Sequence, residues 1–174
     1  MRGAPDGIEL RRVSRADLPD LLRVVEAGIL GYREWAPDWT PLPPSPETRA
    51  RLSALWDDEA KAWGLLAYAG SEPVGVVSLA VSTAADARVP DEGTIYLWQM
   101  FVAPAWQGRG LAGALLDRLV EEARRRGYRR IVLWTPTGAA QARRFYEREG
   151  FELTGEEDEN SSFGLPLVQY GRDL

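Results

Sequence analysis

The segment from Thr94 to Thr135 constrains the fold more than any other part of the sequence. It begins with nine residues, Thr94 to Val102, that are apolar on both faces, and a strand without a polar face is usually central in its sheet. An amphipathic helix over 108–126 follows and stops at Gly127, and Arg130 to Thr135 is a strand rich in β-branched residues. This order predicts two parallel strands joined by a right-handed crossover.

Simple alternation along the first of these strands predicts which side chains share a face. One face is expected to carry Ile95, Leu97 and Phe101. The other is expected to carry Tyr96, Trp98, Met100 and Val102.

Upstream of this unit, the pattern indicates one strand and one helix and then an irregular segment. Alternation over Ile8 to Val13 predicts the strand. Apolar residues at helical spacing predict a helix over about 15–29, with Ser14 as its N-cap and Gly31 at its end. From Tyr32 to Pro46 the chain is so rich in proline that no regular element is expected.

A second helix and a hairpin are predicted next. The helix runs from Pro46 to about Asp58, with the proline in its first turn. Two apolar runs, 62–69 and 74–82, form the hairpin around a turn at 70–73. A loop of small and charged residues is expected over 83–93.

The C-terminal part is predicted to contribute one more helix and two closing strands. Thr137 is the expected cap of a helix that runs through Glu149, and the strands fall at about 151–154 and 166–171. The acidic run 156–159 between them is expected to be a solvated loop. The whole pattern predicts a single α/β domain over residues 1–174, with a mixed, mostly antiparallel sheet, a central βαβ unit and helices on both faces.

Composition excludes several classes of enzyme. The 174 residues include no cysteine and no histidine, which removes thiol nucleophiles, Ser-His-Asp hydrolases and Cys- or His-ligated metal sites. The net charge of −5 disfavours binding to nucleic acid. No signal-peptide or membrane-spanning pattern is found, so we expect a cytoplasmic protein without nucleic-acid, membrane or metal partners.

The segment Gln107-Gly108-Arg109-Gly110-Leu111-Ala112-Gly113, between the central strand and its helix, indicates an anion site. Glycines at the start of a helix expose N–H groups without a helical partner, and the macrodipole places positive potential there. The segment lacks the Gly-Lys-Ser/Thr ending of a Walker A loop. It does match Gly-x-Gly-x-x-Gly, but it follows an antiparallel meander instead of opening a series of βαβ units, which disfavours dinucleotide binding.

Two motifs together resemble the GNAT superfamily of N-acetyltransferases. Gln107-x-x-Gly110-x-Ala112, after a strand ending in Val102-Ala103-Pro104, resembles the acetyl-CoA pyrophosphate loop of that family. The segment 142–151, with Tyr146, Gly150 and Phe151, resembles its Ala-x-x-x-Tyr-x-x-x-Gly-Phe motif. The resemblance covers nearly the whole chain and implies acetyl-CoA as the acetyl donor.

The resemblance also implies residue roles. The end of the central strand would pair with the pantetheine arm and polarise the thioester carbonyl, and Tyr146 would protonate the departing thiolate. The residues expected to contact the cofactor are Met100, Phe101, Val102, Gln107, Gly108, Arg109, Gly110, Leu111, Ala112, Gly113, Ala139, Ala142 and Tyr146. Ala139 stands where the family often has asparagine, so one contact is expected to be lost or moved.

The base and the acceptor pocket are less sharply defined. Glu92 lies where the family often has a catalytic glutamate, and Glu34 and Asp38 compete with it. An amine that arrives neutral would need no such base. Tyr32, Trp35 and Trp39 form either one wall of the acceptor pocket or a hydrophobic plug under the proline-rich segment.

The predicted function is acetyl transfer to a small-molecule or peptide amine in a ternary complex, since no cysteine can hold an acyl intermediate. One alternative is an acyl-CoA-binding module of the same fold without transferase activity. Another is a nucleotide-binding protein that uses the fingerprint glycines. The family also suggests a homodimer.

Overall fold

The computed structural model of the chain describes residues 1–41, 45–81 and 91–174. The predicted loop 83–93 therefore lies outside the described residues except for 91–93. The strands are β1 (Ile8–Arg12), β2 (Ala62–Ala69), β3 (Glu72–Ala80), β4 (Thr94–Val102), β5 (Arg130–Pro136), β6 (Glu152–Asp158) and β7 (Leu167–Asp173). The α-helices in the described part are α1 (Leu18–Leu30), α2 (Pro46–Leu55), α3 (Leu111–Arg125) and α4 (Ala140–Arg148).

The seven strands form one sheet in the order β1-β2-β3-β4-β5-β7-β6. Among the described strands, β4 and β5 make the one parallel pair, and α3 connects them. The other neighbours are antiparallel, and β4 occupies the middle of the sheet. The predicted mixed sheet with a central βαβ unit is confirmed.

Helices cover both faces of this sheet because each carries an apolar stripe. The stripe of α3 includes Leu111, Leu115, Leu119 and Ala123, and it packs with Tyr146 of α4 in the largest core cluster. Leu21 and Val24 of α1 pack on the opposite face against Leu66 and Val76. Burying a leucine or valine side chain stabilises the fold by about 1.5–3 kcal/mol, so both layers contribute to stability.

A β-bulge in β4 changes the predicted assignment of faces. Ser78 of β3 is opposite Gln99, but the next residue, Leu79, is opposite Leu97, so Trp98 is the extra residue. A bulge places two residues opposite one and reverses the alternation beyond it. Val102 and Met100 therefore pack with Ile95 and Leu97 in the core under α3, while Phe101 packs on the α1 face. The predicted grouping of Phe101 with Ile95 and Leu97 was wrong.

Several predicted boundaries also shift. A 3-10 turn over Gly31–Glu34 follows α1, where no regular element was expected. Thr137 does not cap α4, because its hydroxyl donates to the carbonyl oxygen of Pro166 and Ala139 is the N-cap residue. The hairpin turn contains only Gly70 and Ser71, since Ala69 already pairs with Glu72.

The acidic run 156–159 was wrongly predicted as a loop throughout. Glu156, Glu157 and Asp158 belong to β6, the exposed edge strand, which pairs irregularly with β7 between Leu153 and Glu157. Charged side chains on an edge strand oppose pairing with other chains, which accounts for their presence in a strand.

Candidate active site

The loop between β4 and α3 leads into the helix through two glycines in the left-handed conformation. Gly108 has φ of 72° and Gly110, the N-cap of α3, has φ of 83°, values that favour glycine. A Cβ at either position would meet no heavy atom within 4 Å, so the space beside the loop is open. The N–H groups of Leu111, Ala112 and Gly113 lie in the first turn, where no helical carbonyl can accept from them. Unpaired N–H groups at the positive end of a helix macrodipole are features that favour the binding of an anion.

Side chains tie this loop to its surroundings. The amide nitrogen Nε2 of Gln107 donates to the carbonyl oxygen of Val102 at 3.2 Å. Its Oε1 atom lies 3.4 Å from Nε2 of Gln141, at the start of α4. The exposed guanidinium of Arg109 lies 5.1 Å from the centre of the Trp106 ring, which holds this cation beside the start of α3.

The N-terminal segment covers part of α3 next to the loop. Arg2 donates to both carboxylate oxygens of Asp117 on α3 and to both of Glu149, just after α4. A Cβ on Gly113 would lie 2.5 Å from Nη1 of Arg2, so this position accommodates the guanidinium. The pKa of Asp117 is lowered to about 2, chiefly by the hydrogen bond from Arg2. Arg2 therefore joins the helix that follows the loop to the helix that carries Tyr146.

A gap between β4 and β5 begins beside the loop. The two strands pair only through Thr94–Tyr96 and Arg130–Val132, although β4 continues to Val102 and β5 to Pro136. On their other edges β4 stays paired with β3, and β5 with β7, to those ends. We call the gap between 97–102 and 133–136 the β4–β5 cleft. Backbone groups of 97–102 that point into it have no partner strand there, so an extended ligand can hydrogen-bond to them.

The predicted cofactor residues of β4 lie along this cleft, but their side chains point elsewhere. Met100 and Val102 pack into the core under α3, and Phe101 packs against Gly28 of α1. Val102 is buried and Met100 and Phe101 are half-buried, so the backbone is the part of all three residues that faces the neighbouring strand position.

Ala139 and Ala142 lie at the start of α4. Ala139 is buried, and its N–H donates to the carbonyl oxygen of Pro136 at 3.0 Å. Ala142 is half-buried against the core under α3. Neither methyl group can hydrogen-bond, so any contact these residues make with a ligand is apolar or goes through the backbone.

Tyr146 lies on the inner face of α4, in the core that α3 and α4 share. It is 7% exposed, and its ring packs against Phe145, Phe151 and Tyr170. Burial, and next the phenol of Tyr32, raise the pKa of the Tyr146 hydroxyl above its usual value, so it stays protonated at neutral pH.

A hydrogen-bond chain holds α4 against β7. Nε of Arg143 donates to the hydroxyl of the fully buried Tyr170 at 3.0 Å, and that hydroxyl donates to Oε1 of Glu147 at 2.7 Å. Nη1 of Arg143 also donates to the carbonyl oxygen of Thr137. Both ends of α4 are thereby anchored, which fixes the position of Tyr146 between them.

The structure does not bring Glu92 to the cleft. It is exposed in the turn before β4, where its carbonyl oxygen accepts from Arg129. Gly93 beside it accepts from the N–H groups of Arg129 and Arg130 at the start of β5. The cleft begins at Leu97, three residues or roughly 10 Å after Thr94 at the usual rise of a strand, and it extends away from Glu92.

Three predicted acceptor residues form an aromatic cluster with a fourth that the sequence analysis missed. The Tyr32 ring centre lies 5.0 Å from that of Trp35, 5.7 Å from that of Trp39 and 6.2 Å from that of Phe163. Nε1 of Trp39 donates to the carbonyl oxygen of Phe163 at 3.0 Å. Burial raises the pKa of Tyr32 to about 12. These rings pack on one another, and the Trp35 ring lies against Gly138.

The sequence offered a signal for Phe163, a single aromatic residue among small polar ones in 161–164. It offered none for two other residues that flank the cleft, Gln99 and Trp134. Their importance depends on the bulge at Trp98 and on the separation of β4 from β5, neither of which alternation reveals.

The described residues contain neither a helix that could span a membrane nor a cluster of metal-ligating side chains. No helix within 1–41, 45–81 or 91–174 is both long and apolar enough to cross a lipid bilayer. In the same ranges, no three acidic side chains converge as a metal site would require.

The chain is similar to known proteins over most of its length. The model of the Acetyltransferase (GNAT) family matches residues 30–151. Mycothiol acetyltransferase from Beutenbergia cavernae is 32% identical over 120 residues, which are 69% of this chain and 37% of that protein. The chain thus spans little more than a third of that relative's length.

Two other proteins are similar over most of their length. The uncharacterized N-acetyltransferase YjgM from Escherichia coli K12 is 29% identical over 150 residues, 86% of this chain and 84% of that protein. The crystal structure of PaiA N-acetyltransferase from Thermoplasma acidophilum, in complex with coenzyme A, superposes with a TM-score of 0.70 at 16% identity. That superposition covers 96% of this chain and 99% of the other, so the two share a fold.

Proposed function

The chain belongs to the Acetyltransferase (GNAT) family, and we propose that it transfers the acetyl group of acetyl-CoA directly to a primary amine. The observation that carries this proposal is the junction between the β4–β5 cleft and the glycine-led start of α3. An unpaired strand edge beside an anion site suits a donor in which an extended arm is joined to a diphosphate.

The residues present fit such a donor. The amides of Leu111 to Gly113 and the cation of Arg109 would hold the diphosphate, and Gln107 would keep the loop in place. Glycine at 108 and 110 leaves room for the phosphate oxygens. The backbone of 97–102 would pair with the extended arm. The crystal structure of PaiA with coenzyme A supports the assignment because that protein has the same fold.

In the proposed reaction the amine nitrogen attacks the thioester carbonyl carbon, and the carbon–sulfur bond breaks. Backbone N–H groups of 97–102 that face the cleft would stabilise the negative charge that develops on the carbonyl oxygen. The Tyr146 hydroxyl would donate its proton to the departing thiolate, and its raised pKa supports the role of an acid. The absence of cysteine favours direct transfer over a cysteine-bound acyl-enzyme.

The proton of the ammonium group must leave before the nitrogen can attack. Glu92 is an unsuitable recipient because it lies at the other end of β4. Glu34 and Asp38 are exposed on the segment that carries the aromatic cluster. We assign the proton to water on that side of the protein, from which either carboxylate can accept it.

The acceptor would reach the cleft from the α1 face. The helices α3 and α4, with the loop for the diphosphate, belong to the other face. Attack in a ternary complex requires the amine to approach from a side that the donor leaves open. The aromatic cluster of Tyr32, Trp35, Trp39 and Phe163 would border this entrance.

A thiol-release assay tests the proposal. Wild-type protein, acetyl-CoA and a panel of amines are combined, and free thiol is measured over time; release that depends on the amine is expected. Gly110→Glu should weaken acetyl-CoA binding by about a hundredfold, because a carboxylate would occupy the anion site. Gly127→Glu is the matched control, since Gly127 also has positive φ and open surroundings but lies at the other end of α3.

Three results would contradict the proposal. Calorimetric binding of acetyl-CoA without thiol release across small amines, polyamines and peptides would indicate a binding module. Thermal stabilisation by NAD but not by coenzyme A would indicate a nucleotide site. Equal loss of binding in both glycine variants would show that the start of α3 is not the anion site.

A further inference from the structure

One buried hydrogen-bond donor beside the cleft has no partner. The indole Nε1 of Trp134, on β5, is inaccessible to solvent and makes no hydrogen bond with the described residues. Leaving a buried donor unpaired costs about 1–3 kcal/mol, and such groups are rare in native proteins. A ligand atom that accepts from this N–H would offset that cost.

The register of the strands places Trp134 on the face from which the acceptor would arrive. Tyr96 pairs with Val132 of β5 and with Ala80 of β3, which packs with Leu55 of α2. Side chains two residues apart on a strand share a face, so Trp134 lies on the same side as Val132. The α1 and α2 helices cover that side, opposite α3 and α4.

Gln99 of β4 is at the corresponding position across the cleft. Counting from the Tyr96–Val132 pair and leaving out the bulged Trp98, Gln99 is the second position along β4, as Trp134 is along β5. The fully buried hydroxyl of Ser78 donates to Oε1 of Gln99 at 3.0 Å. This hydrogen bond leaves the Nε2 hydrogens of Gln99 available to donate.

Both polar groups that flank this part of the cleft can therefore donate a hydrogen bond. The other side chains on this face of the open strand ends, Trp98, Phe101 and Pro136, bring neither a hydrogen-bond acceptor nor a charge. A protonated polyamine offers only N–H donors, which match these groups poorly. A carbonyl or carboxylate oxygen accepts two hydrogen bonds and matches them well.

We propose that Trp134 and Gln99 bind an oxygen of the acceptor, so that the preferred acceptor is an amine with a carbonyl or carboxylate oxygen close to its nitrogen. Amino acids, amino-acid amides and peptide N-termini have this chemistry. The inference rests on the proposed acetyl transfer. It adds two specificity-determining residues and a substrate class.

The experiment compares L-alaninamide with sec-butylamine, which lacks the oxygen, in wild type and in Trp134→Phe. We expect the ratio of kcat/KM for the two amines to favour L-alaninamide in wild type and to fall by about tenfold in the variant. The two amines differ in basicity, but this difference affects wild type and variant equally. It therefore cancels when the kcat/KM ratios of the two proteins are compared. Trp63→Phe, at a buried tryptophan on β2, is the matched control and should keep the wild-type ratio. Two further acceptors are compared, a tripeptide with a free N-terminus and L-alanine itself. The one with the higher kcat/KM shows whether the oxygen belongs to a peptide or to an amino acid.

A second readout does not need turnover. The indole N–H resonance of Trp134, identified by its loss in Trp134→Phe, should move downfield when L-alaninamide is added to the protein with coenzyme A, and sec-butylamine should leave it in place. That shift without acetylation would support the inference and overturn the transferase proposal. If the protein acetylates the amines but Trp134→Phe keeps the wild-type ratio of kcat/KM, the inference is overturned and the transferase proposal stands. No shift and no preference for L-alaninamide would also overturn it.

Discussion

The two ends of β4 differ in how they are paired, although they belong to one apolar strand. Thr94–Tyr96 pair with β5, and Tyr96 also pairs with β3, whereas the residues of 97–102 pair only with β3. The end that pairs with β5, here called the closed end, leads back to the exposed turn with Glu92, and the open end leads to Gly108 and Gly110. β4 thus joins the two halves of the sheet at its closed end, where it pairs with β5, and leaves its edge toward β5 free for a ligand at its open end.

A bulge marks the change from one end to the other. Trp98 is inserted just past the last residue of β4 that pairs with β5, and its ring stacks on Trp56 after α2. Extra residues in a strand increase local twist and disrupt the ladder. The separation of β4 from β5 thus coincides with a feature of β4 itself.

The largest effect is expected for Tyr146→Phe, at the open end. Loss of the proton donor should lower kcat by about a hundredfold or more, while the affinity for acetyl-CoA stays nearly unchanged. Because burial raises the pKa of this phenol, the wild-type rate should not fall between pH 7 and 9 through its ionisation. Steady-state kinetics measures kcat, and calorimetry measures the affinity for acetyl-CoA.

Tyr128→Phe is the control for this change, since Tyr128 packs against the same core but lies just before β5, at the closed end. It should leave kcat near the wild-type value. A kcat for Tyr146→Phe equal to that of wild type would remove Tyr146 from the mechanism.

An effect on stability, with little change in acetyl-CoA binding, is expected for Leu79→Ala. Leu79 is fully buried on β3 opposite Leu97, so the cavity should lower the free energy of unfolding by about 2–5 kcal/mol. Urea denaturation measures this, with Leu22→Ala on the exposed side of α1 as control. The folded variant should still bind acetyl-CoA with wild-type affinity; a large loss of affinity would show that the paired edge and the open edge of β4 are not separable.

The smallest effect is expected for Glu92→Gln at the closed end. Turnover should stay within about twofold of wild type at every pH, because this carboxylate is remote from the reacting atoms. A tenfold loss, with the pH profile of kcat/KM displaced, would restore Glu92 as the general base and contradict the contrast between the two ends.

The architecture was predictable because hydrophobic periodicity and glycine positions are local signals. The leucine spacing of α3 and the two-faced apolar run of β4 predicted the central crossover, and the structure has it. The acidic residues of β6 were misassigned because their strand is stabilised by pairing with β7, which composition does not reveal.

Prediction of the candidate site was uneven for the same reason. The open start of α3 and the buried Tyr146 followed from motifs within single elements. The partners of Tyr32 and the orphan N–H of Trp134 depend on contacts between segments far apart in sequence. The role of Glu92 stays a prediction, because nearness to β4 along the chain does not say which end of the strand binds a ligand.

The single inserted residue at Trp98 also governs which layer each later side chain of β4 enters. Deleting it would restore regular alternation and exchange the two faces of the strand end, so that Phe101 would face α3 and Val102 would face α1. The backbone amides that line the cleft would be redirected at the same time. Deletion of this one residue would therefore change both the side-chain faces and the hydrogen-bonding groups at the end of the strand.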